Sequence, residues 1–379
     1  MKSKKTPEIK APRDIKILLK KGVFEGVFPC AAAGVSLGVG KEKRKNIAYF
    51  GKASLCPEKR KLKKNTYFDL ASLTKPLATT MAILCLIKMK KIDLEEKLPS
   101  LLEKKIKGEK ENITINQLLG HCSGFPAHRE YFRTLEDVPV NKRGGFVENL
   151  LLGEELEYIP KSKAIYSDLG FMLLGKIIEK KSGDPLDQFV KEKVFQPINL
   201  EKNLFFNPLY GSNYMHSTKE FASTESCSWR KKILQGEVHD DNCYAMGGVT
   251  GHSGLFGDIE GVTACAGLIL DMWKGVANHP NIENVDLGNF LIRQKNIPGS
   301  SRTLGFDTPT KNGSSSGKYF SKKSVGHLGF SGTSFWIDPE KDVVVVLLSN
   351  RVHPSRENTK IKQFRPYFHD MVIKTIFPT

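Results

Sequence analysis

The sequence has strand-like segments near both ends and a long helical stretch between them, and this order limits the folds open to it. The run DVVVVLLSN (342–350) is the strongest strand signal, and its unbroken apolar character predicts a central position in a sheet. Residues 31–39 and 46–53 resemble two strands joined by the polar turn KEKRK, which predicts a hairpin. Turn residues separate two more predicted strands, at 325–330 and 333–338.

Apolar residues at helical spacing predict helices that flank this sheet and fill the middle of the chain. They are expected at 13–24, from Ser72 for about five turns, at 169–182, at 258–274 and at about 359–376. We therefore predict an α/β (α+β) fold, an antiparallel sheet flanked by helices with an inserted all-helical lobe. The chain would form one domain, 1–379, with a sheet-containing lobe at 1–75 and 236–379 and a mainly helical lobe at 76–235.

Composition favours a folded protein in a reducing compartment. The chain has 379 residues, of which 40% are hydrophobic, enough for substantial cores. Its seven cysteines are odd in number, form no CxxC pair and lie mostly in apolar surroundings, as buried free thiols do. No uninterrupted apolar run approaches about 18 residues, and the basic N-terminus precedes no apolar segment of a signal peptide. We therefore expect no membrane span and a cytoplasmic location.

The net charge of +17 raises the question of a nucleic-acid partner. Most of the excess charge is lysine in short runs scattered along the chain, without the aromatic stacking residues or recognition modules of polynucleotide-binding surfaces. We therefore predict no nucleic-acid partner, and interpret the charge mainly as a lysine-rich surface, with attraction of polyanions as the alternative.

Most common catalytic motifs are missing from the sequence. There is no HExxH, and His239, Asp240 and Asp241 lack a spaced partner, so no metal site is predicted. Without a Walker loop or a GxGxxG at a strand–helix junction, no cofactor is predicted either. One G-x-S-x-G occurs at 313–317, but its flanks do not predict the strand and helix that a nucleophile elbow needs.

The pair Ser72 and Lys75 is the stronger candidate for nucleophilic chemistry. At the start of a helix, residues three apart share a face, so the amine can reach the hydroxyl. If the amine is buried, desolvation lowers its pKa and lets it act as a base or a proton relay for Ser72. Ser-x-x-Lys also occurs at Ser228 and Ser315, but only Ser72 opens a long apolar helix. The alternative is a helix cap beside a surface lysine.

Four further segments of interest follow the one that contains Ser72. The sequences FDLASLTKPLATTMA, LLGHCSGFPAH, YSDLGFMLLGKIIE, HDDNCYAMGGVTGHSGLFG and GHLGFSGTSFWIDP resemble the serine β-lactamase and penicillin-recognising hydrolase superfamily. The resemblance is closest to the class C β-lactamase-like branch, which also holds D-alanyl peptidases and family VIII carboxylesterases. It covers about residues 15–375, and it implies a serine hydrolase of that fold.

The resemblance also implies roles for individual residues. Ser72 would be the acylated nucleophile, Lys75 its proton partner, and Tyr166 the base that then protonates the leaving group. The backbone N–H groups of Ser72 and Phe330 would form the oxyanion hole.

Two more segments would complete the cleft. His327, Leu328 and Gly329 lie where the family has Lys-Thr-Gly on the strand that borders the site. The glycine-rich stretch 247–257, with His252, would line the same cleft.

Two positions depart from the family pattern, which has Tyr-x-Asn and a strand lysine. Asp168 replaces the asparagine, and a carboxylate accepts hydrogen bonds but cannot donate one to a substrate amide; it also favours the charged form of Lys75. His327 replaces the strand lysine, and histidine is mostly neutral at pH 7 unless a partner raises its pKa. Both changes point away from a dedicated β-lactamase.

These observations leave three hypotheses about function and a structural alternative for each residue. The first is a serine hydrolase acting on small carboxylic esters or amides, the second a β-lactamase or D-alanyl-D-alanine carboxypeptidase, and the third an inactive binding protein. Tyr166 could instead be a core residue between lobes and His327 a satisfied strand residue, while His121 and His252 could stabilise loops. Asp168 could be a helix cap. The oligomeric state is left open.

Overall fold

The computed structural model describes residues 12–210, 217–283 and 285–378. The first eleven residues, on which the expectation about a secretory signal largely rests, lie outside these ranges. The described strands are β1 (Cys30–Leu37), β2 (Arg44–Ser54), β3 (Arg60–Lys61), β4 (Phe68–Asp69), β5 (Leu204–Phe206), β6 (Ser226–Cys227), β7 (Lys232–Ile233), β8 (Leu255–Gly257), β9 (Val325–Leu328), β10 (Ser334–Asp338) and β11 (Val343–Ser349).

The described α-helices are spread along the chain, and the three longest lie at predicted places. They are α1 (Pro12–Phe24), α2 (Met81–Lys88), α3 (Leu98–Leu102), α4 (Ile115–Leu119), α5 (Tyr131–Thr134), α6 (Val140–Gly153), α7 (Asp168–Ser182), α8 (Leu186–Phe189), α9 (Asp241–Ala245), α10 (Ile259–Trp273), α11 (Leu287–Phe290) and α12 (Ile361–Ile376). A 3₁₀ turn (Ala71–Leu73) and a π-helical turn (Lys75–Thr80) precede α2. Gly183, with φ of +87°, ends α7 as its sequence predicts.

The main sheet joins the two ends of the chain, which confirms the predicted fold class. Its six strands run in the order β3-β2-β1-β11-β10-β9, and all neighbouring strands are antiparallel. Strand β11 pairs with β1 from Ala31–Ser349 to Leu37–Val343, which places the valine-rich run in the middle of the sheet. Every residue of both strands is buried, as their apolar sequences predict.

Each face of this sheet packs against different helices. Because side chains alternate along a strand, Val343 and Val345 join a core with α1 and α12, whereas Val344 and Val346 join a larger core with α10. The larger core continues into the helices of the chain's middle, including α2 and α7. The candidate active site thus lies against this sheet.

Three short strands in the range 76–235 were not predicted. Strand β5 joins β4 and β8 in a small sheet of order β4-β8-β5, and β6 pairs with β7. Strands of two or three residues are too short to show a period of two in sequence. The division of the chain into two lobes stays a prediction.

The helical segment Ala71–Lys88 is long and apolar enough to cross a membrane by length and composition, with a mean hydropathy of 1.2. Within the structure, however, 83% of it is buried against the rest of the protein. Burial of this kind is what a core helix of a folded domain shows, and the segment carries Ser72 and Lys75 at its start.

Candidate active site

Ser72 and Lys75 lie at the start of the buried helical segment, with their side chains in contact. Lys75 is fully buried, and its Nζ donates hydrogen bonds to Ser72 Oγ at 3.0 Å, to Asp168 Oδ1 at 2.8 Å and to the carbonyl oxygen of His252 at 3.0 Å. An ammonium group has three donors, and here each donor has its own acceptor. The amine is therefore held in one orientation beside the candidate nucleophile.

The backbone just before Ser72 is held in a strained turn. Ala71 has φ of +49°, a left-handed conformation that non-glycine residues rarely adopt. The buried carboxylate of Asp69 stabilises this turn, accepting the N–H of Ala71 at 2.8 Å and that of His239 at 2.6 Å. Strain of this kind persists only where neighbouring groups hold the backbone in place. The turn sets the point at which the chain leaves β4 and begins the helical segment that carries Ser72.

Asp168 decides the charge of Lys75. Burial by itself would lower the pKa of Lys75, but the carboxylate of Asp168 outweighs it and raises that pKa. Burial likewise opposes ionisation of Asp168, yet Lys75 and His128 hold the pKa of this carboxyl below its usual range. The expectation of a desolvated, neutral lysine base is therefore wrong for the resting site. The expectation that Asp168 keeps Lys75 charged is confirmed.

Tyr166 lies beside this ion pair. Lys75 Nζ is 4.8 Å from the centre of its ring, and both Lys75 and Ser72 act to lower the pKa of its hydroxyl. Burial raises the pKa of Tyr166 in spite of the lysine, so the side chain is a neutral phenol at neutral pH. His121 packs against the same ring at 4.7 Å and accepts the N–H of Ser167 at Nδ1, 3.0 Å away. His121 thus supports the ring of Tyr166, which agrees with the structural role considered for His121 above.

His327 lies on β9, at the border of the cleft, with its ring 5.8 Å from that of Tyr166. Its Nδ1 is 2.9 Å from the Leu328 carbonyl oxygen, which can only accept, so Nδ1 carries the proton. Burial and the nearby cations lower the pKa of His327 well below its usual value. The predicted neutral histidine is confirmed, and no strand cation stands at this position.

The turn that joins β9 to β10 is bonded to the residues just before Ser72. Ser331 Oγ donates to the Asp69 carbonyl oxygen at 2.7 Å, and Thr333 Oγ1 donates to that of Leu70 at 3.1 Å. Arg351 Nε donates to the Phe330 carbonyl oxygen at 2.8 Å. These bonds tie the backbone at Phe330 to the residues just before Ser72, the arrangement that the predicted pair of oxyanion-binding N–H groups requires.

Gly329 permits this close approach, and its replacement gives a direct test. A Cβ at this position would lie 2.7 Å from the Leu70 carbonyl oxygen and overlap Thr333 Oγ1. We expect Gly329→Ala to push β9 away from Ser72 and to lower kcat at least tenfold, since small displacements of catalytic groups are costly. Gly145→Ala is the matched control, because its Cβ would meet nothing within 4 Å. Steady-state kinetics showing equal kcat for both variants would contradict this account.

The glycine-rich stretch 247–257 contributes backbone rather than side chains to the site. Gly251 approaches Gly175 of α7 so closely that a Cβ on Gly251 would lie 2.8 Å from the Gly175 nitrogen. This contact lets Thr79 donate to the Gly251 carbonyl oxygen at 2.6 Å, and Lys75 to that of His252. The His252 ring is buried and bonds with other groups, with Nδ1 2.8 Å from Thr250 Oγ1 and Nε2 3.0 Å from Asp240 Oδ1.

Sequence reasoning missed His128, which lies on the open side of Asp168. Its Nδ1 is 3.5 Å from Asp168 Oδ2, and its side chain is half exposed. The nearby carboxylate of Asp168 raises the pKa of His128 above 6.5, although burial opposes it.

A raised pKa in the folded state makes the contribution of His128 depend on pH. A histidine with a raised folded pKa stabilises the fold fully below its unfolded pKa of about 6.5, and loses this effect as pH rises through the folded value. We expect His128→Gln to lower Tm at pH 6 and to match the parent at pH 9. Thermal unfolding at both pH values checks this, and a difference that grows with pH would contradict it.

Arg302 is the second residue that the sequence did not single out. Its guanidinium carbon is 5.0 Å from the centre of the Tyr166 ring, and its charge helps to lower the pKa of His327. Backbone bonds between Asp307 and Gly326 attach the turn 302–307 to β9, one residue before His327. The site thus has an arginine near the position where the strand lysine is missing. No local motif marks Arg302, since only this pairing brings it to the cleft.

The rejected motifs lie outside this constellation. Ser314 and Ser316 hydrogen-bond with each other at 2.7 Å in a loop, and no described helix follows it at once, so the elbow interpretation was rightly set aside. Ser228 is exposed on the surface. Among the described residues no group of three or more potential ligands could hold a metal ion. All seven cysteines are free, and six are buried.

A family model and two relatives show which proteins this chain is similar to. A family model described as Beta-lactamase matches residues 24–365. The chain is 34% identical over 321 residues to "N-acetylmuramyl-L-alanine amidase" of Bacillus subtilis (strain 168). This match covers 77% of this chain and 70% of that protein. It is 32% identical over 319 residues to "Putative D-alanyl-D-alanine carboxypeptidase" of Salmonella gallinarum (strain 287/91 / NCTC 13346), covering 78% and 72%.

Among solved structures, the fold is similar to that of the octameric penicillin-binding protein homologue from Pyrococcus abyssi. The TM-score is 0.69 at 17% identity, and the match covers 96% of this chain and 79% of that one. At this identity the likeness concerns the fold alone, and it agrees with the antiparallel sheet and flanking helices described above.

Proposed function

Because this chain belongs to the β-lactamase family and is a serine hydrolase, we propose that it cleaves small carboxylic esters through an acyl-enzyme on Ser72. The observation that carries the proposal is the charged Lys75, held by Asp168 with its Nζ 3.0 Å from Ser72 Oγ. The position of Asp168 favours esters, because a carboxylate bonded to Lys75 offers no hydrogen-bond donor to an amide carbonyl of the substrate.

The resting charges suggest that Tyr166, rather than Lys75, moves the proton. As Ser72 Oγ bonds to the ester carbonyl carbon, Tyr166 gives its phenolic proton to the alcohol oxygen of the ester and takes up the proton of Ser72 in its place. The tyrosine is neutral before and after the step, and the Lys75 ammonium stabilises the negative charge that the tyrosine oxygen carries while the first transfer runs ahead of the second. The alcohol leaves when the carbon–oxygen bond breaks, and water reverses the sequence to release the acid.

The backbone N–H groups of Ser72 and Phe330 would receive the negative charge on the carbonyl oxygen. Preorganised donors of this kind usually contribute more to acyl transfer than any other single interaction. The bonds from Ser331, Thr333 and Arg351 support this role, since they hold the backbone at Phe330 without using its N–H.

A substrate panel with mass analysis tests the proposal. p-Nitrophenyl acetate, nitrocefin and an acetylated D-alanyl-D-alanine peptide are given to the wild type and to Ser228→Ala, whose serine also begins a Ser-x-x-Lys motif. We expect turnover of the ester, and a quenched reaction with an acyl mass increase on the peptide that contains Ser72. Turnover of nitrocefin or the peptide with no ester activity would overturn the ester assignment. An acyl group found on another residue would overturn the assignment of the nucleophile.

A second candidate function is an amidase or D-alanyl carboxypeptidase on fragments of cell-wall peptides. The names of the two relatives support it, and so does Arg302, whose guanidinium lies 5.0 Å from the Tyr166 ring and could bind a substrate carboxylate. Under this hypothesis the arginine takes over the part that the missing strand lysine plays elsewhere in the family.

Arg302→Ala separates these two functions by its effect on KM. A charge-assisted hydrogen bond contributes about 1.5–3 kcal/mol, so we expect KM to rise roughly 10- to 100-fold for substrates with a carboxylate next to the scissile bond. For a neutral ester, KM should change by less than about threefold. Equal effects on both substrates would contradict a role of Arg302 in binding carboxylates.

A further inference from the structure

A second pocket lies far from Ser72, on the side of the sheet that packs against α1. Its volume is about 870 Å³, and it is bordered by α1, β2 and the loop 353–358. Phe28, Pro29, Phe50 and Leu62 form much of its apolar lining. Strand β2 is four strands from β9 in the sheet, so at about 4.8 Å per strand the pocket is roughly 20 Å from the candidate active site. The volume suits a ligand of small-molecule or single-lipid size.

Four lysines, and no acidic residue, line this pocket: Lys16, Lys20, Lys52 and Lys61. None of them forms an ion pair with another described residue. Lys20 Nζ is 5.6 Å from the centre of the Phe50 ring, so its ammonium stands over the apolar lining.

The spacing of these lysines is itself unfavourable without a counter-ion. Lys16 and Lys20 are four apart on α1, where like charges on one helix face repel. Lys52 and Lys61 are direct partners across β2 and β3, where like charges are also destabilising. Two repulsive pairs around one pocket indicate a place where a bound anion would relieve both.

The rim of the pocket also exposes aromatic surface. Phe24 is 80% exposed and Tyr49 38%, and the ring of Phe24 is 6.2 Å from that of Phe50. Contiguous apolar surface of this kind on a folded protein commonly marks a binding site. Apolar lining below and ammonium groups above match a molecule with an apolar tail and an anionic head.

We propose that this pocket binds one free amphiphilic anion, a long-chain carboxylate, with its tail against the aromatic lining and its head among the four lysines. A concave pocket favours a single molecule over a flat membrane surface, because the lining residues Phe28 and Leu62 are buried below the rim. The proposal is independent of the reaction at Ser72, since no residue of the pocket belongs to that cleft.

Calorimetric titration of the full chain with hexanoate, octanoate, decanoate and dodecanoate, each below its micelle concentration, tests the proposal. Burial of each added methylene predicts a Kd that falls roughly fourfold per carbon, and the head group predicts weaker binding at high salt. Lys20→Glu combined with Lys52→Glu should weaken dodecanoate binding at least tenfold. Lys105→Glu combined with Lys107→Glu is the matched control, with the same charge change at two lysines elsewhere on the surface. Equal loss in both double variants would overturn the proposal.

Two further arms of the experiment distinguish this pocket from the catalytic cleft and from a membrane-binding surface. Dodecyltrimethylammonium has the same tail and the opposite charge, and we expect it to bind at least tenfold more weakly; equal binding would overturn the role of the lysines. Binding lost in Arg302→Ala but kept in the lysine variant would assign dodecanoate to the catalytic cleft and overturn the proposal. Sedimentation with phosphatidylglycerol vesicles, without binding of free dodecanoate, would replace it by membrane attachment. An unchanged Tm shows that the lysine variant is folded.

Discussion

Ser72→Ala is expected to lower kcat for the best ester substrate by about 10⁴-fold or more. Removing the nucleophile of a serine hydrolase abolishes the covalent route and leaves only what the oxyanion site and substrate binding contribute. The loss should fall on kcat rather than KM, because Ser72 Oγ forms its decisive bond only during the reaction. Steady-state kinetics measure both quantities on the purified variant.

The control for this prediction is Ser228→Ala, which removes the same hydroxyl from an exposed Ser-x-x-Lys motif. It should keep the kcat of the parent within about twofold, the range of ordinary surface substitutions. Ser72→Ala that retains a tenth or more of the parent kcat would show that another residue attacks the substrate. In that case the acyl mass would also remain in the Ser72→Ala protein.

Asp168→Asn is expected to cause the largest loss of stability among the site variants. It leaves the ammonium of Lys75, which is fully buried, without its counter-ion, and breaking one half of a buried ion pair costs about 3–5 kcal/mol. Burial then lowers the pKa of Lys75, because the charge that raised it has gone. We therefore expect a free energy of unfolding about 3 kcal/mol below that of the parent at pH 7, measured by urea denaturation.

The pH dependence gives this prediction a signature. The pKa of Asp168 is lowered by folding, so its stabilising effect is present above about pH 4 and is lost as pH falls further. The pKa of Lys75 is raised, so its stabilising effect is present below about pH 10 and is lost at higher pH. The difference between parent and variant should be greatest between these limits.

A surface ion pair provides the matched comparison. Glu179→Gln breaks the bridge from Lys176, 2.8 Å long and partly exposed on α7, and should cost less than about 1 kcal/mol. If Asp168→Asn costs no more than this, Lys75 does not depend on Asp168 for its charge, and the proton relay through Tyr166 loses its basis.

The fold was largely predictable because its main signals are local. The valine-rich run at 343–349 could only be a buried strand, and the hairpin near the N-terminus has polar turn residues between two apolar runs. Each of these strands needs a neighbour in a sheet, so the sequence also predicted that the two ends of the chain share one sheet. In the structure β1 does pair with β11. Strands β5 and β8 of the small sheet were missed because three residues contain too little pattern to reveal a strand.

The site was predictable where sequence spacing sets distance. Ser72 and Lys75 are three residues apart in a helical segment, so their contact follows from helix geometry. The charge of Lys75 could not be settled in the same way, because burial and Asp168 act in opposite directions and only the 2.8 Å contact shows which prevails. His128 and Arg302 were missed because they reach the cleft through loops, whose positions depend on tertiary contacts.

The turn that carries Arg302 has a consequence for how this protein can change its substrate. Ser72 and Lys75 begin a helical segment that is buried over most of its length, so nearly any replacement around them disturbs the core. Arg302, in contrast, belongs to a short turn that joins the sheet through the backbone pairing of Asp307 with Gly326. Laboratory evolution confined to Ser301, Arg302 and Asp307, the partly exposed residues of this turn, should therefore change substrate choice while Ser72 and Lys75 keep their places.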